Sequence, residues 1–476
     1  KKGELFMKWV ILFLFITLSH NSFSQLRKNS YKWGKIDNPD DFLIGYETRF
    51  KDLPLKGKLK KHPWSGYYWA TFNGGLAFRW HGPDKGKSKQ VTYPLLTKEE
   101  VFKRSKIPNA LKYLSPAEKW DLYMSDYTFS LTRSERERTG VMKGKKIPRW
   151  FGLCHAWAPA TLQYTMPKPI ELKNYHGLTI PFGSSDIKAL LTYNIHLYNS
   201  SEDQLFMGGR CNSNLPYLLK SFANGLITEE MLTNLIPNMN CQDMNPGALH
   251  LALANLIGLR KQGFIMDKTR TGEVWNQPVW SYNSVIEKES VVKSINDLVG
   301  FKKDHEILLP EKILKVKTTV GWINEHGPNW EGPDKKGHSL KTTTYQYYLY
   351  INRYGHIVGG KWHPRNKERP DFFWRMKNPG YHDYMKYLSH FEGRSFNLSS
   401  NMDTKGRKRS IKQLKKVFKR ATKKLILAKR FIKNSKEING MRRKRKKTYT
   451  DNLKDYFLKN MNSLKKKYKK FRGNNP

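Results

Sequence analysis

The 476-residue chain has three cysteines, Cys154, Cys211 and Cys241. So few exclude a disulfide-dense scaffold, and without a CxxC pair there is no start for a structural zinc site. There is no HExxH helix for a zinc protease and no GxSxG elbow for a serine hydrolase. The stretches "GPDKGKSK" and "GPDKKGHS" lack the flanking strand and helix of a phosphate loop. Acidic residues are scarce, 40 against 87 Lys and Arg, for a net charge of +47. No apolar run approaches the ~20 residues that span a bilayer.

What is present is a globular composition, 38% apolar and 13% aromatic. The start reads as an export signal, with Met7 as the true initiator. Lys8 gives the positive region, Trp9–Leu18 the apolar region, and Ser22 and Ser24 the small residues before cleavage ahead of Gln25. Residues 1–24 are thus assigned to a signal peptide with upstream residues, and the chain is expected to be extracellular, at the cell surface or periplasmic. In an oxidising compartment Cys211 and Cys241, both in polar, turn-rich surroundings, can pair; such a bridge would add ~3–4 kcal/mol by restricting the unfolded chain. Cys154 is then the free thiol.

The charge is uneven. Residues 401–476 hold 29 Lys and Arg against Asp403, Glu437, Asp451 and Asp455, a surplus of 25. In this segment Ile411, Leu414, Phe418, Ala421, Leu425, Ala428 and Ile432 recur at helical spacing beneath a basic face. The expected organisation is a catalytic region over 25–402 and a basic helical tail over 403–476. The tail is expected to bind anionic surfaces or polyanions, or else to be a solvated helical hairpin.

Between these ends, residues 25–62 read as a loosely packed lead-in and His62–Trp80 as an aromatic core segment. Ser115, Pro116 and Glu118 open a helix with a capping box. Ser184–His196 and Asn245–Gly258 read as further helices, the last with Asn245 as N-cap and Gly258 as its stop. Two short strands follow around "RTG", then strands at 313–323, 342–353 and 356–362, the last pair a hairpin through Tyr354-Gly355. Helices first and a sheet later give an α+β fold.

The chemistry left by the exclusions is a thiol with a base and an orienting carboxylate. Cys154 lies in "RWFGLCHAWAPA". His250, early on its helix, and Asp267, where the strand "FIMD" ends, are the candidate partners. The competing readings are a buried inert cysteine, a satisfied core histidine and a capping aspartate. His155 adjoins Cys154 and so points elsewhere; His356 and His363 are weaker rivals.

"RWFGLCHAWAPA", "DIKALL", "NPGALHLALANLIG", "VWNQPV" (Val274–Val279) and "GHIVGGKWH…RPDFFW" together resemble the transglutaminase elicitor family, over roughly residues 50–375. "VWNQPV" is similar to the first half of the peptide that plants recognise in the oomycete cell-wall enzyme, though "WSY" departs from its continuation. The resemblance implies a papain-like architecture and a protein-glutamine γ-glutamyltransferase joining Gln to Lys through a Cys154 thioester. Ala156 stands where the family has glycine. His250 and Asp267 would complete a triad, and Trp157, Trp275 and Asn276 would line the substrate. Calcium dependence is implied, with no ligands identified: Asp37/Asp40/Asp41 and Glu202/Asp203 are merely oxygen-rich. A cysteine peptidase or glutamine deamidase would use the same groups, and a non-enzymatic surface-binding protein could keep the fold.

Overall fold

A computed structural model describes residues 36–43, 45–82, 91–144, 146–198, 204–209, 244–268, 273–292, 310–332, 339–364, 369–376 and 380–401, with 33, 228 and 366. The expected export signal, Cys211 and Cys241, the "RTG" segment and the expected basic tail lie outside the described residues.

The first half is mainly helical. Thr97 caps α1 (Lys98–Ser105), and Ser115 caps α2 (Pro116–Tyr123) through the expected reciprocal bonds with Glu118. Then follow α3 (Ser130–Thr139), α4 (Cys154–Gln163), the small hairpin β2 (Ile170–Lys173) and β3 (Thr179–Phe182), and α5 (Ser184–Leu197). Buried charges tie these helices together. Lys119 on α2 meets Asp186 on α5 at 2.6 Å, both fully buried, and Asp186 also accepts from Trp80 and from the Gly183 N–H.

The second half is an antiparallel sheet. Its order is β4 (Gln204–Gly208), β10 (Phe372–Met376), β5 (Phe264–Asp267), β6 (Asn276–Val291), β7 (Pro310–Ile323), β8 (Leu340–Asn352) and β9 (Ile357–Trp362), with β1 (Lys56–Lys58) added on β6. Alternation explains β7 and β8: Leu314, Val316, Thr318 and Val320 face the core opposite Leu349, Tyr347, Tyr345 and Thr343. The β8–β9 hairpin turns where expected, with Gly355 at φ +80° and the Asn352 side chain accepting from Tyr354 and His356.

Three expectations are corrected. In its described residues the lead-in is not loose, because Phe42, Leu43, Leu53 and Leu59 enter the main core. Gly258 does not stop its helix. The helix, α6 (Pro246–Ala252), runs on in π geometry over Leu253–Arg260 and ends at Lys261, in the left-handed region. Gly258 is small for a different reason: a Cβ on the facing Gly57 would lie 2.9 Å from its Cα, so the missing side chains let β1 approach. The second strand of the "RTG" pair is also far longer than expected, because beyond Ser284 it carries mostly exposed residues with no apolar alternation to reveal it. Among the described residues no helix is long and apolar enough to cross a membrane.

Candidate active site around Cys154

Cys154 is the first residue of α4, where a helix N-terminus favours a thiolate. Leu153 fixes the entry: its carbonyl accepts from Ala156 and Trp157, and its N–H donates to the Tyr68 carbonyl at 2.6 Å. Gly152 makes that approach feasible, since a Cβ there would stand 2.7 Å from the same carbonyl. Pro159, inside the helix, forgoes one backbone bond without breaking it.

The thiol is 6% exposed. It donates to the Val274 carbonyl at 3.7 Å and accepts from Asn276 Nδ2 at 3.6 Å. Burial pushes its pKa up. The side-chain amide and backbone N–H of Asn276 pull it down, and the charges of Glu325 and Asp267 raise it. The net direction is upward, so the resting group is a thiol.

Asn276 opens β6 and pairs with Asp267, the last residue of β5. Directly opposed residues share a face of the sheet, so Asp267 stands beside the amide that touches sulfur. Asp267 Oδ1 accepts from the Trp275 N–H at 3.2 Å. Glu325, its carboxyl pushed up by burial, accepts from Gln277 at 2.9 Å. Tyr68, raised to about 12 mainly by burial, meets partly exposed Trp275 edge to face at 5.9 Å.

His250 is elsewhere. Its Nδ1 meets the Tyr347 hydroxyl at 2.9 Å, which meets Thr318 at 2.6 Å, which meets Ser284 at 2.8 Å. Ser284 lies eight positions along β6 from Asn276, roughly 27 Å at about 3.4 Å per residue. The hydrogen-bonded steps at either end are too short to close that gap. The expected His250–Cys154 contact is therefore not formed: His250 faces the β7–β8 core rather than the helix carrying the thiol. Trp157, expected to line the substrate, is fully buried in the core. His155 turns from Cys154 to His196, 3.0 Å away. His356 bonds Thr48.

Burial holds the fully enclosed His250 near a pKa of about 4, below its unfolded value of ~6.5. Between these values the unfolded state binds the extra proton. The His250 contribution is thus present above pH 6.5 and is lost as pH falls toward 4. Unfolding free energies measured in urea from pH 7 to 4.5 are expected to fall, and less steeply in His250→Gln, by up to about 1.4 kcal/mol per pH unit. The same slope in both proteins would contradict this.

Glu325, Tyr68 and the Val274 carbonyl were not singled out in the sequence. Tyr68 and Val274 stood in quoted segments, but only the fold shows which groups converge.

The family model for transglutaminase elicitors matches residues 40–385. The chain belongs to the transglutaminase elicitor family. A comparison with curated proteins finds no match. Among solved structures, the GP42 transglutaminase from Phytophthora sojae is similar, with 22% identity, coverage of 70% of this chain and 86% of that one, and a TM-score of 0.48. For the calcium expected from the family, no group of three or more His, Cys, Asp or Glu side chains among the described residues is arranged to hold a metal ion. Asp37 is engaged by the Asn245 N–H, and Glu202 and Asp203 lie outside the described residues.

Proposed function

We propose that the protein is an exported transglutaminase that joins protein glutamine to lysine through a thioester on Cys154. The observation that carries the reading is a thiol at a helix N-terminus, held by the Asn276 amide beside Asp267, in a chain of this family.

The Cys154 sulfur attacks the glutamine carboxamide carbon, and the carbon–nitrogen bond breaks. Ammonia leaves with the proton that the thiol gave up. Asp267 is the proposed carrier of that proton in place of His250, with Glu325 as the second acidic neighbour. A lysine amine then attacks the thioester, the isopeptide bond forms, and sulfur is released. Asn276 stabilises the sulfur anion at both ends of the cycle. Trp275 and Tyr68 flank the site and disfavour water, whose attack would yield glutamate instead. The nucleophile on a helix against an antiparallel sheet is also the papain-like arrangement, so peptide hydrolysis is the rival outcome.

Purified protein given a labelled primary amine and a glutamine-bearing protein is expected to attach the label. Hydrolysis of peptide bonds alone would defeat the proposal. His250→Gln is expected to keep amine incorporation within about threefold, since His250 is remote from sulfur.

Export and surface retention belong to the same proposal. Deleting residues 403–476 is expected to abolish retention on vesicles containing anionic lipid at low salt, and the intact chain to lose it as salt rises. Equal retention of both would refute a tail-borne surface role.

A further inference from the structure

An amide beside a sulfur can present either its donor or its acceptor end. Only the donor end stabilises a thiolate. The fold contains a device that decides between them. Trp374 Nε1 donates to Asn276 Oδ1 at 2.8 Å, and both residues are 4% exposed. An indole N–H has no acceptor character. It therefore fixes the oxygen of the amide toward itself and turns Nδ2 to Cys154, 3.6 Å away.

The sheet makes this reach available. Trp374 pairs with Ile265, and Asp267 pairs with both Phe372 and Asn276. Side chains at these register positions share one face. The indole thus crosses above β5 from β10 to β6, about two strand spacings or ~9.6 Å. A smaller side chain at position 374 would not span it.

We infer that Trp374 is a positioning residue that holds the Asn276 amide donor-end toward the Cys154 sulfur. This rests on the reading of Cys154 as the nucleophile but not on the acceptor being an amine.

The test is the pH profile of Cys154 alkylation by iodoacetamide, followed by mass spectrometry of the Cys154 peptide in the full chain. Accessibility alters the plateau of that profile, whereas thiolate stability alters its midpoint. Trp374→Phe keeps the packing and removes the N–H. Its midpoint is expected to move upward by about one pH unit, roughly tenfold less thiolate at fixed pH, as for a lost charge-assisted hydrogen bond. Asn276→Ala should shift at least as far, and Trp374→Phe should add nothing in that background. An unchanged midpoint in Trp374→Phe, or the same further shift on top of Asn276→Ala, would overturn the inference. Should Trp374→Phe fail to fold, Asn276→Asp decides. With the indole holding one oxygen, the other faces sulfur, and the midpoint should rise beyond that of Asn276→Ala; a midpoint at or below it would overturn the inference. Because this readout needs no glutamine or amine, a protein that shows the shift but no amine incorporation would sink the proposed function and leave this inference standing.

Discussion

Cys154→Ala is expected to lower amine incorporation by about a thousandfold or more, the loss typical of removing a covalent nucleophile. The fold should survive the change. The thiol makes only weak sulfur contacts, at 3.7 and 3.6 Å, and alanine suits a helix N-terminal turn packed among Ala156 and Ala158. Cys154→Ser is expected to be nearly as inactive. A hydroxyl is far less acidic than a thiol, and the site offers it no histidine to compensate among the groups around Cys154 described above. Ammonia release and amine incorporation should fall together, because both follow the same thioester. Retained incorporation in Cys154→Ala would remove the residue from the mechanism.

The second large effect concerns stability. Lys119→Met should destabilise the protein by about 3–5 kcal/mol, measured by urea unfolding, because it strands a buried carboxylate. Lys119 and Asp186 have no exposed side-chain surface and meet at 2.6 Å. Burial pulls the ammonium down, and Asp186 pushes it back up. Without Lys119, Asp186 keeps the Trp80 and Gly183 N–H bonds, which do not neutralise it. The loss reaches the site because Asp186 stands in the first turn of α5, and α5 packs against α4, which carries Cys154. A change under ~1 kcal/mol would mean that the pair contributes no more than a surface bridge.

Much of this was legible where local rules suffice. Ser115–Glu118, Asn245-Pro246 and Gly355 signal their caps and turn by residue type alone, and β7 and β8 show their alternation. Position 258 misled because glycine serves close approach as well as helix termination. Phe42, Leu43 and Leu53 carry no local pattern that marks them as core, because their packing partners are distant in sequence. In the candidate site, Cys154, Asp267 and Asn276 sit in motifs that can be read directly. The helix position of His250 does not encode which element it faces, and that element is β8 rather than α4. Trp374 became informative only once the order β10-β5-β6 placed it over Asn276.

In the proposed reaction the Cys154 sulfur passes an acyl group from glutamine to an amine. The mass of the product formed from one glutamine peptide and one lysine peptide by the full chain tests this. The expected product has the summed mass of the two peptides less one ammonia, and it is absent with Cys154→Ala. Products confined to a deamidated glutamine peptide, or to fragments that have gained water, would contradict the claim.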